Sequence, residues 1–203
     1  MTILALETST SCASVAVWRD GAVVREWGFR SERAHNSLLF APLEEALALA
    51  EPDLIAVGTG PGSYAGVRVS ISAALGLAMA KNVPLVGWPS LTAFDLPSDG
   101  WAIGDARRGG FFLAHLVGAQ VAGTPEIVDA GELIGRLKGL RVWTFDDTAG
   151  VPEAVLVKPS AGWLARRVAA LPESVRAALA TATPEPLYLR APFTTTPGPR
   201  ISG

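Results

Sequence analysis

Apolar and polar positions in the first half of the chain predict three strands followed by alternating helices and strands. The three strand-like runs are Thr2–Glu7, Cys12–Trp18 and Ala22–Phe29. Asp20-Gly21 is typical of a hairpin turn between the last two. Apolar residues three and four apart then predict a helix over His35–Ala50, in which Pro42 predicts a kink or a late start. The remaining elements are predicted at Leu54–Gly58 (strand), Tyr64–Ala80 (helix), Pro84–Trp88 (strand) and Ser90–Phe94 (short helix).

A similar order returns, more loosely, after the break near residues 96–100. The predicted strands are Trp101–Asp105, Phe111–Val117, one within 119–128, Arg141–Phe145 and Val155–Val157, and the predicted helices are Ala130–Lys138 and Ala161–Leu171. A three-strand meander followed by alternating helices and strands resembles the ribonuclease H-like unit. Two such units in tandem form the architecture of the actin, sugar kinase and Hsp70 ATPase group. We therefore predict an α/β protein with an N-terminal lobe over residues 1–97, a smaller, degenerate C-terminal lobe over 98–190 and a flexible tail over 191–203.

Composition narrows the function classes. Lys and Arg number 17 against 19 Asp and Glu, a net charge of −2, so the chain lacks the basic surplus typical of direct nucleic-acid binding. The single cysteine, Cys12, excludes an intramolecular disulfide. We see no signal peptide, and the longest apolar stretch, near residues 65–80, is too short and too interrupted to span a membrane. We expect a cytoplasmic protein.

The turn over residues 58–66 and the helix after it are the most distinctive segment. The turn, GTGPGSYAG, fits neither a Walker A loop nor the dinucleotide-binding fingerprint. The helix carries apolar residues all round, which requires burial on every side. A partner protein could cover its outer face, or the two halves of this chain could enclose it. We predict a partner interface formed by Gly66, Val67, Arg68, Ser70, Ile71, Ala74, Leu75 and Ala78.

Polar residues follow the first strand of each predicted lobe, where ATPases of this architecture bind nucleotide. A nucleotide site, either a relic or one shared at an interface with a partner, would use Glu7, Thr8, Ser9, Asp105 and Arg107, with ATP or ADP and Mg²⁺ at that interface. The alternative is that these residues only close two hairpins. The first hairpin lacks paired glycines and no downstream Gly-Gly could hold adenosine, so we expect no cofactor in the isolated chain.

Two enzyme hypotheses compete with a binding role. Gly62-Ser63-Tyr64-Ala65-Gly66 fits the nucleophile elbow of hydrolases, so a peptidase or hydrolase could act through Ser63, but His115 is the only downstream histidine. A stand-alone sugar-kinase-like phosphotransferase is the second, and the missing adenosine loop disfavours it. With two histidines and one cysteine, we expect no protein-built metal centre.

Four segments together resemble one known family. They are ILALETSTSCASVAVW at the start, GTGPGSYAGVRVSISAALGLAMAKNVPLVG in the middle, IGDARRGGFFLAHL opening the second half and PLYLR near the end. In this order they resemble the TsaB (YeaZ) proteins of the TsaD-related, glycoprotease-like family.

The resemblance implies a function that the residues alone do not. TsaB proteins bind the catalytic paralogue TsaD and the ATPase TsaE, and the complex transfers a threonylcarbamoyl group to the adenosine next to the anticodon of tRNAs that read codons beginning with A. Two histidines bind the metal in TsaD-like members, and Ser90 and Phe94 occupy those positions here. The resemblance therefore implies a non-catalytic scaffold or activator, bound to TsaD through the glycine-turn helix. It also implies that the same helix can form a homodimer and that tRNA is contacted only through the complex.

Overall fold

The computed structural model describes residues 1–30, 35–106, 108–146 and 150–189. Its strands are β1 (Thr2–Glu7), β2 (Cys12–Arg19), β3 (Ala22–Arg30), β4 (Leu54–Gly58), β5 (Leu85–Trp88), β6 (Gly100–Asp105), β7 (Gly110–Val117), β8 (Gln120–Asp129), β9 (Val142–Thr144) and β10 (Val155–Leu156). Its helices are α1 (His35–Leu49), α2 (Tyr64–Lys81), α3 (Ala130–Leu137), α4 (Ala161–Ala170) and α5 (Glu173–Leu179), with a 3₁₀ turn at Ser90–Thr92.

The first sheet has the order β3-β2-β1-β4-β5. Strand β1 lies in its centre, antiparallel to β2 and parallel to β4. Both faces of β1 are buried, which explains why its sequence is nearly all apolar and not alternating. Leu4 and Leu6 face helices α1 and α2, while Ile3 and Ala5 face helix α4.

The second sheet repeats this plan with the order β10-β9-β6-β7-β8. Strand β6 takes the place of β1, antiparallel to β7 and parallel to β9. One face packs under α3 and the other faces the first lobe. The predicted fold class, two tandem ribonuclease H-like α/β units, is confirmed.

Helix α4 lies in the sequence range predicted as the C-terminal lobe, yet it packs across the first sheet, on the face opposite α1 and α2. Two side chains of that sheet bind its first turn. Ser14 Oγ accepts a hydrogen bond from the Ala161 amide at 2.8 Å, and Glu26 Oε1 accepts one from Gly162 at 3.1 Å. Helix α5 follows and was not predicted. The lobe boundaries themselves stay a prediction.

An aromatic cluster joins the two lobes. Phe94, two residues after the end of the 3₁₀ turn, packs with its ring centroid 5.8 Å from that of Trp143 and 5.7 Å from that of Phe145 in the second lobe. Phe94 is fully buried. The two lobes therefore share a hydrophobic core.

Helix α2 begins and ends with ordinary capping. Ser63 Oγ accepts a hydrogen bond from the Gly66 amide at 3.2 Å, and Asn82 ends the helix in the left-handed conformation with φ of 53°. Helix α1 continues through Pro42, so the late start predicted from that proline is wrong. Among the described residues, no helix is long and apolar enough to cross a membrane.

Truncating Phe94 should loosen the joint between the lobes. Phe94→Ala is expected to lower the free energy of unfolding by about 3–5 kcal/mol, because a buried aromatic side chain is lost. Phe40→Ala is the matched control, since Phe40 is 50% exposed, and should cost under about 1 kcal/mol. Denaturant unfolding measures both, and equal effects would contradict the shared core.

Candidate functional site

A cleft of about 450 Å³ lies between the lobes, at the ends of β1 and β6. Its first-lobe wall carries hydroxyl groups, from Ser9, Thr10, Ser11 and Ser63. Its second-lobe wall carries two carboxylates and two aromatic rings, from Asp105, Asp146, Phe112 and Phe145. The sequence predicts a common site from the residues that follow β1 and β6, and in the structure the ends of these two strands lie on the same cleft.

The glycine turn builds one side of the cleft by contacting the end of β1 very closely. The Ser63 amide donates to the Ser9 carbonyl at 2.7 Å. A Cβ on Gly62 would lie 2.1 Å from that carbonyl oxygen, so no other residue fits. Gly62 is therefore needed for a close backbone contact within the chain.

Glu7 lies beneath the cleft and is not among the residues that line it. It is 1% exposed, and its Oε1 accepts a hydrogen bond from the Ser9 amide at 2.7 Å. Oε2 has no hydrogen-bond partner and sits so close to Gly58 that a Cβ there would lie 2.1 Å away. Burial raises the pKa of the Glu7 carboxyl above 4.5, against the opposing effect of hydrogen bonds from Ser9, Ser90 and Thr8. In this arrangement Glu7 cannot contact a ligand in the cleft.

The other four residues of the predicted nucleotide site have different positions. Thr8 is fully buried, and its Oγ1 lies 2.8 Å from both the Gly66 carbonyl oxygen and Ser70 Oγ, so it ties β1 to helix α2. Ser9 and Asp105 line the cleft, and Ser9 Oγ is buried without a partner. The Asp105 amide donates to Asp146 Oδ2 at 2.7 Å. Arg107 lies outside the described residues. A nucleotide at this site stays a prediction.

The predicted interface residues on α2 mostly point inward. Buried in the chain's own core are Gly66, Val67, Ser70, Ile71, Ala74 and Ala78. Leu75 is half-buried, and only Arg68 of the eight is exposed. In this structure the chain's own core covers these six residues, so a partner would meet other positions of α2, and the predicted interface stays a prediction. The alternative expectation, a helix enclosed between the two lobes, is wrong, because Met79 on the outer face of α2 is 76% exposed.

That outer face and helix α1 carry exposed apolar residues. Met79 is 76% exposed, Phe40 50% and Leu38 41%. A surface groove between the two helices is lined by Phe40, Arg68, Val69, Ser72 and Ala73. The sequence signal was present as the all-round apolarity of α2, but it could not say which face the sheet would take.

The hydrolase hypothesis finds no support in the geometry. Ser63 does line the cleft, and its hydroxyl accepts the capping hydrogen bond of α2. His115 stacks on Trp101, with ring centroids 4.6 Å apart, three residues along β7 from Phe112 in the cleft wall. At about 3.3 Å per residue, this places the histidine roughly 10 Å beyond the cleft. None of the described residues that line the cleft is a histidine.

The two positions where the resemblance implies metal-binding histidines carry packing residues. Ser90 Oγ accepts a hydrogen bond from the Gly60 amide at 3.0 Å and holds the glycine turn. Phe94 fills the core between the lobes. Across the described ranges, no group of three or more His, Cys, Asp or Glu side chains could hold a metal ion.

The buried Glu7 should make stability depend on pH. Its folded-state pKa is raised, so the stability that its proton contributes is complete below pH 4.5 and is lost as pH rises through the folded pKa. Glu7→Gln keeps the shape without the titration. Between pH 4.5 and the raised pKa of Glu7, we expect the variant to gain on the wild type by up to about 1.4 kcal/mol per pH unit. Denaturant unfolding across pH 4–8 measures this, and a difference that stays constant with pH would contradict it.

Parts of the sequence match known proteins. Residues 30–99 match the family model of TsaD, tRNA N6-adenosine threonylcarbamoyltransferase. The TsaB protein of Escherichia coli, named for tRNA threonylcarbamoyladenosine biosynthesis, is 35% identical over 96 residues, which is 45% of this chain and 41% of that protein. TsaB of Bacillus subtilis is 34% identical over 119 residues, 54% of this chain and 52% of that protein. The matched segments thus span about half the length of these relatives or less.

The fold has a close solved counterpart. YeaZ from Pseudomonas aeruginosa superposes with a TM-score of 0.72 over 93% of this chain and 99% of that chain, at 23% identity. A second P. aeruginosa structure, described as similar to peptidase YeaZ, gives 0.73 with the same coverage, at 24% identity. The sequence matches confirm the resemblance carried by the four sequence segments: this chain is similar to the TsaB (YeaZ) proteins, and the solved YeaZ structure shows the same fold.

Proposed function

We propose that this chain is a non-catalytic subunit in tRNA threonylcarbamoyladenosine biosynthesis, and that it docks onto a TsaD-family partner through the outer face of helices α1 and α2. The docking face is defined here as Leu38, Phe40, Arg68, Val69, Ser72, Ala73, Gly76 and Met79. The observation that carries the proposal is the exposure of large apolar side chains on this face, up to 76% for Met79. Several large exposed apolar side chains on one pair of helices are typical of a protein interface.

The shape of the face suits another helix. Ser72, Ala73 and Gly76 are small, and a Cβ on Gly76 would meet nothing within 4 Å. Small residues let helix axes approach to about 8 Å, while Phe40 and Met79 flank them as larger side chains that a partner can bury. Arg68 sits in the groove as a cation that a partner carboxylate can bind.

The family match supports the identity of the partner. Both helices of the docking face lie wholly within residues 30–99, the segment that matches the TsaD model. A TsaD-family partner built on the same segment would present a similar pair of helices, so the two proteins could pack in a nearly symmetric way. The same argument allows a homodimer through this face, which would compete with the partner.

A non-catalytic role is supported by what fills the positions that would carry chemistry. Ser90 and Phe94 are buried packing residues, and Glu7 lies beneath the cleft and does not line it. The partner would then supply the chemistry, and TsaE and tRNA would join through the complex. ATP or ADP with Mg²⁺ at the partner interface remains part of this proposal.

A charge in the groove should separate docking from folding. Ser72→Arg is expected to weaken binding of the TsaD-family protein of the same organism by roughly 100-fold, because an unpaired charge buried at an interface costs about 3 kcal/mol. The matched control is Ser174→Arg, at an exposed serine of helix α5 outside the docking face. Calorimetry measures both affinities, and unfolding curves show that both variants fold.

Two outcomes would overturn the docking assignment. One is full affinity of Ser72→Arg with a folded chain. The other is an equal loss of affinity in Ser174→Arg, which would move the interface or show a general effect of added charge.

The purified chain should lack activity of its own. We expect it neither to hydrolyse ATP appreciably nor to modify tRNA until the TsaD-family protein is added. A phosphate-release assay and a tRNA-modification assay, each with and without the partner, measure this. Robust turnover by the chain alone would contradict the non-catalytic role.

A further inference from the structure

Residues 184–189, named here the C-terminal strap, run from the first lobe across to the second. Pro184 is buried against the first sheet, where a Cβ on Gly87 would lie 2.8 Å from it. The Leu187 amide donates to the Thr59 carbonyl at 2.8 Å. Leu189 packs into the cluster of Phe94, Phe112 and Trp143 in the core between the lobes.

The strap forms one wall of the cleft. Pro186, Leu187, Tyr188 and Leu189 line it. The strap has no regular secondary structure, and Tyr188 is 41% exposed. Segments of this kind, with partly exposed contacts and irregular backbone, open at lower free energy than core strands.

Contacts between three side chains connect the strap to the docking face. The Tyr188 ring stacks on Tyr64, with centroids 5.2 Å apart and planes inclined by 29°. The guanidinium of Arg68 lies 5.1 Å from the centroid of the same Tyr64 ring, and its Nη1 donates to the Tyr64 hydroxyl. Arg68 also lines the groove between α1 and α2. A single cation therefore lies in the groove while holding the ring on which the strap rests.

We propose that the C-terminal strap is a lid over the cleft between the lobes, latched by Arg68 through Tyr64 and Tyr188. Arg68 keeps the Tyr64 ring in place under Tyr188, and the stacked rings hold the strap closed. A group in the groove that draws the Arg68 guanidinium away from the Tyr64 ring removes this support and favours the open lid. The lid and its latch stand on these contacts alone. Its control by a docked partner rests on the proposed function.

Hydrogen exchange in the full-length chain tests the lid without any partner. The Leu187 amide reports the strap, and the Ile55 amide, bonded to the Pro84 carbonyl at 3.0 Å in the fully buried strand β4, reports global unfolding. We expect Leu187 to exchange more slowly than an unstructured amide and faster than Ile55. Exchange at the Ile55 rate would show that the strap is an integral part of the fold, and exchange at the unstructured rate would show that it is not closed. Either result overturns the proposal.

Variants test the latch in the same measurement. Tyr188→Ala should accelerate Leu187 exchange by about 2- to 12-fold, the factor expected when one aromatic pair is lost. Arg68→Ala should accelerate it about 2-fold or more through loss of the cation over Tyr64. Val117→Ala, a control of 42% exposure in the second lobe, should leave the rate within 2-fold.

The variants can contradict the proposal in two ways. If Tyr188→Ala leaves Leu187 exchange unchanged, the stacked rings do not hold the lid. If Tyr188→Ala accelerates exchange and Arg68→Ala does not, Arg68 is not part of the latch and the link to the groove is lost.

Discussion

The backbone contact between the end of β1 and the glycine turn determines where the other functional parts lie. Ser63 donates to the Ser9 carbonyl at 2.7 Å, and Gly62 leaves no room for a side chain against the same group. The contact fixes the start of helix α2, because Ser63 is also the residue that caps it. It aims one face of the helix at the sheet, leaves the other outside, and brings the hydroxyl groups after β1 to the wall of the cleft.

The residues around the glycine turn hold the two lobes and helix α2 together. Positions close to the turn that could bear chemistry are used for packing: Thr8 binds helix α2, Ser90 binds the turn and Phe94 joins the lobes. The outer face of helices α1 and α2 is exposed and carries apolar side chains. The molecule has a cleft of about 450 Å³ with the strap as one wall. Tyr64 links the strap to Arg68, which lines the groove where we propose that the partner docks.

Much of the fold could be predicted from the sequence because the strands and turns carry local signals. Short apolar runs predict strands β1 and β4, and the pair Asp20-Gly21 predicts the hairpin turn. The packing of α4 could not be predicted, because neither Ser14 nor Glu26, which bind its first turn, shows in the sequence that it will meet residue 161 or 162. The same limit applies to the site. Apolarity all round α2 marked the helix, but the sheet and α1 decide which residues face inward, and those contacts are distant in sequence.

Photo-crosslinking in the reconstituted complex tests the central claim, that the outer face of α1 and α2 binds a TsaD-family partner. A photoreactive amino acid replaces Met79 in one variant and Leu140, 47% exposed in the second lobe, in the other. The account predicts efficient crosslinking to the TsaD-family protein from position 79 and background levels from position 140. Crosslinking from position 140 with none from position 79 would contradict it.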